Sequence, residues 1–227
     1  MPVYTKAEAF CGLALYAGLR REEALGLAWE NVHLDAEPPF IEVRQACNWG
    51  SGNQPEITAK LKSNAARRDI PIPWQLVEIL TRVKAKSKGA FVVANDKGQP
   101  MSKQSFRRLW EVIRLRTVHE ITVTEDGVEK KVMLKLGDKI PKHKVEISLD
   151  FHCTPHQLRH TYITELIMSG ANIKTVQYLA GHSTVTLTLQ IYTHLMENTP
   201  ADTVGAVVSA FGLNTGAKKE NENAADD

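Results

Sequence analysis

Apolar residues recur every three or four positions near both ends of this 227-residue chain and alternate with polar residues in the stretch between. Phe10, Leu13 and Ala17 follow the helical spacing. Gly18 supplies a break, and a second short helix is predicted over residues 20–29, which places Arg20 at its start. The beginning of the chain is therefore expected to be helical.

The middle of the chain has strand patterns. Residues 41–44 alternate as a strand does, residues 50–54 have turn composition, and residues 56–62 and 68–72 are predicted as two further strands. A small antiparallel sheet is the simplest account of these short segments.

Helical spacing returns over residues 73–86 and 102–116, and again from Thr154 onward. In residues 118–148 two alternating runs are joined by Asp126-Gly127, which is a hairpin signal. We therefore predict an α+β fold that is mainly helical, with a small antiparallel sheet and a β-hairpin inserted at about 118–148.

Helix-end signals agree with this pattern. Thr5 with Glu8, and Thr154 with Gln157, have the spacing of capping boxes. Gly181 can end the helix that precedes it. Both ends of the chain thus contain predicted helix boundaries.

Composition narrows the class of protein. With 43% hydrophobic and 24% charged residues the chain is neither disordered nor fibrous, and no apolar run approaches the ~20 residues of a membrane span. Cys11, Cys47 and Cys153 are odd in number and lack a CxxC pair, so neither a disulfide framework nor a zinc site is expected. The chain opens without an export signal, which predicts a cytosolic protein.

The net charge of +2 hides an asymmetry. Residues 218–227 hold two Lys against four acidic residues, so the remaining chain carries +4. Its basic residues occur in clusters that can follow a phosphate backbone or simply keep the surface solvated.

The helix predicted to begin after Thr154 is a candidate anion site. His156 and Arg159 are three residues apart and share one face close to the helix N-terminus. Free N–H groups, a planar guanidinium and a titratable imidazole together suit a phosphate. Further on, Gly181-His182 precedes Tyr192, although a single Tyr or His on a helix is more often a packing residue.

These elements form an ordered set. In order and spacing the set resembles the tyrosine recombinase family over about residues 5–195, and is closest in pattern to phage and conjugative-transposon integrases. The matching segments are Gly18-Leu-Arg20 with Glu23, Lys62 before Arg67-Arg68-Asp-Ile-Pro, His156-Gln-Leu-Arg159-His160, Leu179-Ala-Gly-His182, and Tyr192.

The resemblance implies a site-specific recombinase or integrase that cleaves and rejoins DNA through a 3′-phosphotyrosine and that integrates and excises a mobile element, such as a conjugative transposon or phage. Tyr192 is then the nucleophile, and Arg20 and Arg159 clamp the non-bridging oxygens with help from His182. His156 assists proton transfer at the Tyr192 oxygen, and Glu23 orients the Arg20 region. The covalent link stores the phosphodiester energy, so neither ATP, a metal nor another cofactor is expected.

The general acid for the departing 5′ oxygen is assigned to Lys62, with Lys60 as the open alternative, since both precede the Arg67-Arg68 pair. Further contacts with double-stranded DNA are expected from Lys60, Arg67 and Arg68. In the inserted hairpin Lys130 and Lys131 are expected to contact DNA or a neighbouring subunit, and a purely decorative hairpin is the alternative.

The resemblance also predicts the organisation of the chain. Residues 1–212 form the catalytic domain, residues 213–227 a polar disordered tail, and the N-terminal core-binding domain of the family is absent, which suggests a fragment. An amphipathic pattern over 200–211 predicts a helix that docks on a neighbouring protomer in a dimer or tetramer, or packs on its own chain. We expect a bacterial cytoplasmic protein, nucleoid-associated on DNA.

Three alternatives stay open on sequence grounds. A zinc site could use His156 and His160, but Gln157 stands where the HExxH signature has Glu. A type IB topoisomerase shares the same chemistry, and a non-catalytic DNA-binding relic shares the same fold. The DNA sequence recognised and the direction of recombination do not follow from one sequence.

Overall fold

The structure is a computed structural model that describes residues 3–50, 52–61, 63–115, 120–133 and 153–197. The helices, in chain order, are α1 (Val3–Tyr16), α2 (Arg21–Gly26), α3 (Trp74–Lys86), α4 (Lys103–Leu115), α5 (Pro155–Met168), α6 (Ile173–Ala180) and α7 (Val185–Glu197). The strands are β1 (Val32–His33), β2 (Phe40–Val43), β3 (Ala46–Trp49), β4 (Pro55–Thr58), β5 (Arg68–Pro71), β6 (Glu120–Glu125) and β7 (Val128–Met133). The predicted α+β class is confirmed.

The strands form small antiparallel sheets. One contains β1, β2 and β5, and β3 pairs with β4 in a separate two-stranded sheet. The prediction of a single small sheet is therefore wrong. The strands predicted over 56–62 and 68–72 do not pair with each other. Strand β5 pairs instead with β2, with Arg68 opposite Val43.

The inserted hairpin is confirmed where it is described. Strands β6 and β7 pair antiparallel, and Asp126 and Gly127 both have positive φ, of 52° and 78°. Two successive positive φ values are those of a type I′ turn, which matches the twist of a hairpin. The remainder of the predicted 118–148 insertion lies outside the described residues.

Most helix boundaries follow the local sequence, but the helix predicted over residues 20–29 ends at Gly26, and Trp29–Asn31 form a separate 3₁₀ turn. Thr154 accepts from the Gln157 N–H in a capping box, and Gly181 ends α6 at φ 61°. The capping box predicted at Thr5 is wrong, because α1 already begins at Val3 and Thr5 lies inside its first turn.

Two groups of buried side chains hold the described elements together. The larger one fills the space between α1, α3, α4 and the sheets, with Phe10, Leu25 and Leu80 fully buried. The smaller one joins α5, α6 and α7 through Ile163 and Val176. Helix α1 also packs against α5, and Gly18 in the loop after α1 lies against Tyr162, which packs on the second group. No helix in the described ranges combines the length and apolar character that crossing a membrane requires.

Candidate active site

Arg20 occupies the N-cap position of α2, as predicted. Its backbone N–H donates to Glu23 Oε2 at 2.9 Å, and its Nη1 donates to Glu23 Oε1 at 2.7 Å. Its Nη2 donates to the Gly181 carbonyl at 2.7 Å, across 161 residues of sequence. A quarter of the side chain stays exposed, so the guanidinium is fixed in place but open to a ligand.

Arg159 lies in the second turn of α5 and is only 2% exposed. It donates to the carbonyls of Gly18 and Ala180, which join the loop after α1 to the end of α6. Burial, and then the nearby charge of Arg20, lower the pKa of Arg159 to about 9, so it remains a cation at neutral pH. Two neighbouring cations that repel each other favour an anion between them.

The end of α6 receives a different arginine at each of three successive carbonyls. The last carbonyls of a helix have no partner within the helix and carry the negative end of its dipole, so they attract cations. The three pairs are Arg68 Nε with Leu179 O at 2.8 Å, Arg159 Nη2 with Ala180 O, and Arg20 Nη2 with Gly181 O at 2.7 Å.

Gly181 is required at this position for two reasons. Its φ of 61° is left-handed, and a Cβ added there would lie 2.7 Å from Arg68 Nη1 and 3.2 Å from Arg20 Nη1. Only a residue without a side chain lets both guanidinium groups approach the cap of α6.

Arg68 does not lie on the surface. Its side chain is 0% exposed, and it donates to Glu23 Oε2 at 2.9 Å, Glu23 Oε1 at 3.2 Å and Ala66 O at 2.9 Å, besides Leu179. The prediction that Arg68 contacts DNA is therefore contradicted, because its donors are used inside the protein. Arg68 lies two residues before Ile70 in β5, and residues two apart share one face of a strand. This spacing is the signal in the sequence that places Arg68 on the buried face.

Glu23 is the carboxylate shared by the arginines. It is 4% exposed. Burial alone would raise its pKa, but the charges and hydrogen bonds of Arg68 and then Arg20 outweigh burial and lower the pKa to about 2. Glu23 is thus ionised and supports Arg20, in line with the orienting role expected from the sequence.

A cavity of about 350 Å³ opens between the N-termini of α2 and α5. Arg20, Arg159 and His156 line it together with Thr154 and Pro155 at the start of α5. The N-terminus of a long helix offers free N–H groups and a positive dipole end to an anion. The cavity thus combines the two arginines and the histidine that the sequence singled out.

His156 is exposed on the first turn of α5, with the His160 ring edge-on to it at a centroid distance of 4.5 Å. Partial burial, followed by the charges of His160, Arg159 and Arg20, lowers the pKa of His156. A neutral imidazole beside the cavity can accept a proton near neutral pH. In the described part of the chain no His, Cys, Asp or Glu completes a group of three around this pair.

His182 follows the α6 cap and is 8% exposed. Its Nδ1 lies 2.9 Å from Thr188 Oγ1 on α7. Burial first, and then Arg159, Arg20 and Arg68, lower the pKa of His182 to about 4. The ring is therefore neutral at pH 7. Thr188 was not anticipated from the sequence, where one Thr in a Thr-rich stretch gives no sign of this contact.

Lys60 lines a second cavity, which Arg20 also borders, together with Glu23 and Leu61. Strand β4 ends at Thr58, whose Oγ1 accepts from the Lys60 N–H at 3.1 Å, so Lys60 lies beyond the strand in which it was predicted. Lys62 lies outside the described residues. Arg67 is exposed and donates to Ala59 O at 3.3 Å, a position open to solvent.

The remaining predicted residues are placed less completely. Tyr192 lies on α7, seven residues after its start, and its side chain is outside the described part. Lys130 and Lys131 are exposed on β7, and Lys130 pairs with Glu125 at 3.6 Å. The segment 200–211, predicted as a docking helix, is outside the described residues, as is the tail 213–227.

A model of the Phage integrase family matches residues 2–126 and 129–199. The tyrosine recombinase XerD of Corynebacterium glutamicum is 30% identical over 197 residues, covering 86% of this chain and 50% of that protein. A XerC-like tyrosine recombinase of Caldanaerobacter subterraneus is 26% identical over 211 residues, covering 88% of this chain and 48% of that protein. The chain thus spans about half the length of these curated relatives.

Solved structures share the fold. The Tn1549 transposon integrase in complex with transposon right end DNA gives a TM-score of 0.63 at 24% identity, covering 93% of this chain and 60% of that chain. The XerA recombinase gives 0.53 at 17% identity, covering 92% and 57%. Fold and sequence therefore agree with the resemblance seen in the motifs, and the chain belongs to the phage integrase family of tyrosine recombinases.

Proposed function

We propose that this chain is the strand-cutting unit of a site-specific DNA recombinase, which cleaves and rejoins DNA through a 3′-phosphotyrosine. The observation that carries the proposal is the cavity in which Arg20 and Arg159 meet at the N-terminus of α5. Two guanidinium groups and a helix N-terminus suit a phosphodiester, whose transition state places extra negative charge on the non-bridging oxygens.

The reaction assigns one role to each group. The Tyr192 oxygen attacks the scissile phosphorus, the bond to the 5′ oxygen breaks, and that oxygen leaves with a proton. His156 takes the proton of the Tyr192 hydroxyl, whose ordinary pKa near ~10 makes a helper necessary at neutral pH. Arg20, Arg159 and a hydrogen bond from His182 stabilise the phosphorane-like charge, and rejoining reverses the steps without ATP or a metal.

The proton for the 5′ oxygen comes from Lys60 or Lys62. The cavity that Lys60 shares with Arg20 supports Lys60. A DNA in which sulfur replaces the bridging 5′ oxygen separates the two, because a thiolate leaves without protonation. Lys60→Ala should cleave ordinary DNA slowly and the sulfur substrate at the wild-type rate, with Lys62→Ala close to wild type on both. The reverse pattern would assign the general acid to Lys62, the residue that the sequence pattern favours.

The biological reaction proposed is integration and excision of a mobile element. The fold shared with the Tn1549 transposon integrase supports a role in a mobile element. The XerD and XerC-like relatives support site-specific recombination, the activity that both roles have in common. The partner is double-stranded DNA, and the protein acts in the cytoplasm, on the nucleoid when bound.

Further contacts complete the proposal. Arg67, with its exposed side chain, contacts the phosphate backbone, and Lys130 and Lys131 on the exposed hairpin contact DNA or a second subunit. Residues 1–212 form the catalytic domain. The segment 200–211 docks on a neighbouring protomer and assembles dimers to tetramers on DNA, so truncation at Thr199 should leave DNA binding but reduce assembly on paired sites.

A nicked attachment-site duplex tests the function. The nick lets the short cleaved strand diffuse away, so a protein–DNA adduct accumulates. Wild type should form a covalent adduct that survives denaturation, Tyr192→Phe should form none, and Tyr16→Phe, which changes a partly buried tyrosine at the end of α1, should behave as wild type. An equal yield of adduct from Tyr192→Phe would contradict the proposal.

A further inference from the structure

His182 and Thr188 form a hydrogen-bonded pair between two elements of the site. The ring follows the Gly181 cap of α6, and the hydroxyl is on α7, the helix that carries Tyr192. Nδ1 and Oγ1 are 2.9 Å apart, and the residues are 8% and 0% exposed. The Nδ1 atom of His182 is therefore hydrogen-bonded inside the protein.

The direction of this hydrogen bond follows from the other threonines. Thr81 and Thr161 each donate their hydroxyl back to the carbonyl four residues earlier, at 2.8 and 3.1 Å. Within the described ranges Thr188 makes no such bond, and its hydroxyl pairs with His182 alone. A buried hydroxyl without an acceptor is costly, so the Thr188 proton is given to Nδ1.

The charge state of the ring completes the argument. Burial and the surrounding arginines keep His182 neutral at pH 7, since its pKa falls to about 4. A neutral imidazole has one N–H, and an Nδ1 that accepts a hydrogen bond leaves that proton on Nε2. In the described residues no protein group is bonded to Nε2, so it is available to a ligand.

The backbone of His182 is fixed independently of Thr188. Its N–H donates to Gln177 O at 3.0 Å, and Gln177 Nε2 donates to its carbonyl at 3.2 Å. The peptide is thus held by α6, and rotation of the ring is the freedom that Thr188 removes.

We propose that Thr188 is a positioning residue that holds the His182 ring as the Nε2–H tautomer, ready to donate a hydrogen bond to the scissile phosphate. This inference rests on the proposed function for the identity of the acceptor. The opposite tautomer turns a lone pair toward the phosphate and repels it. The same bond joins α7, the helix that carries Tyr192, to His182 after the Gly181 cap of α6.

The variants for the test differ in one group each. Thr188→Val keeps the shape and removes the hydroxyl, and Thr188→Ser keeps the hydroxyl. Thr186→Val makes the same change at an exposed position of α7 and serves as the control. The full chain is labelled with ¹⁵N-histidine, and His182→Gln assigns the ring signals.

The first measurement is the ring tautomer by ¹⁵N NMR at pH 7. Wild type, Thr188→Ser and Thr186→Val should carry the proton on Nε2, and Thr188→Val should show a mixture of tautomers. The second is the single-turnover rate of adduct formation. Thr188→Val should lower it roughly 10- to 100-fold at unchanged DNA affinity, by analogy with the loss that follows removal of the outer hydrogen-bond partner of a metal-ligating histidine.

The outcomes separate the two claims. A wild-type ring protonated on Nδ1, or a Thr188→Val protein with wild-type tautomer and rate, would overturn the role of Thr188. If Thr188→Val fails to fold, the wild-type tautomer and the rate of Thr188→Ser decide. If wild type forms no adduct at all, the proposed function fails, and the tautomer still decides how Thr188 sets the ring.

Discussion

Arg68 holds Glu23 through two hydrogen bonds in the interior of the protein, from Nη2 to Oε2 at 2.9 Å and from Nη1 to Oε1 at 3.2 Å. The same carboxylate accepts from the backbone and the side chain of Arg20. The position of Arg20, which we propose binds the phosphate, therefore depends on an ion pair that is almost fully buried.

Removal of Arg68 should destabilise the protein strongly. Arg68→Met leaves the buried Glu23 charge with Arg20 alone, and breaking a buried pair from one side costs about 3–5 kcal/mol. Chemical denaturation measures the free energy of unfolding. The double variant Arg68→Met with Glu23→Gln should be less damaged than the sum of the two single changes, because no buried charge is then unpaired.

Arg82→Met is the matched control. Arg82 pairs with Glu8 on the surface, where the side chains are 52% and 42% exposed, so solvent screens the pair and its loss should change the free energy of unfolding far less than the loss of Arg68. Equal losses from Arg68→Met and Arg82→Met would count against the buried network.

Stability should depend on pH through Glu23. Its pKa is lowered from 4.5 to about 2, so the stabilisation is complete above pH 4.5 and is lost as pH falls toward 2. The stability difference between wild type and Glu23→Gln should be roughly 2 kcal/mol smaller at pH 3 than at pH 7. A difference that stays constant over this range would show that Glu23 is not held by the arginines.

Gly181→Ala should lose both stability and cleavage. The left-handed backbone alone costs about 1–2 kcal/mol for a residue with a Cβ. The added Cβ would also press on Arg68 and Arg20, and a displacement of about 1 Å in such a site lowers the rate on the order of 100-fold.

Gly170→Ala separates these two costs. Gly170 also has a positive φ, of 79°, but a Cβ there would meet no atom within 4 Å. Thermal unfolding should show the backbone cost in both variants, and only Gly181→Ala should lose adduct formation. Full cleavage by Gly181→Ala would indicate that the arginines do not need this cap.

Adduct formation should be insensitive to EDTA. The proposed steps use arginine, histidine, lysine and tyrosine groups, and a hydrolase built on the His156–His160 pair would instead depend on a bound metal. The rate with and without chelator on the nicked duplex is the measurement. A loss that is restored by zinc would favour the metal alternative.

Local signals in the sequence predicted much of the fold. Gly18 and Gly181 end their helices with left-handed backbone, and Thr154 with Gln157 starts α5, because each of these effects involves only neighbouring residues. The convergence of Arg20 and Arg159 was inferred through the family resemblance, and the described geometry brings them to one cavity.

Long-range pairing explains what was missed. The division of β1–β5 into two sheets depends on the pairing of β2 with β5. The local alternation of apolar and polar residues does not reveal which strands pair. Arg67-Arg68 looks like one basic cluster, although alternation along β5 places Arg68 beside Ile70 on the buried face. The contact of His182 with Thr188 spans only six residues, but it depends on how the chain turns from the α6 cap into α7, which the residue types in a Thr-rich stretch do not reveal.

The central claim is that one phenolic oxygen on α7 attacks a phosphate held by Arg20 and Arg159. Mass spectrometry of the digested protein–DNA adduct tests it most directly, because it locates the linked nucleotide on a single residue. We predict a nucleotide linked through its 3′ phosphate to the peptide that contains Tyr192. The Arg159→Ala protein should not form this adduct. A nucleotide on any other residue, or on the 5′ side of the break, would contradict the account.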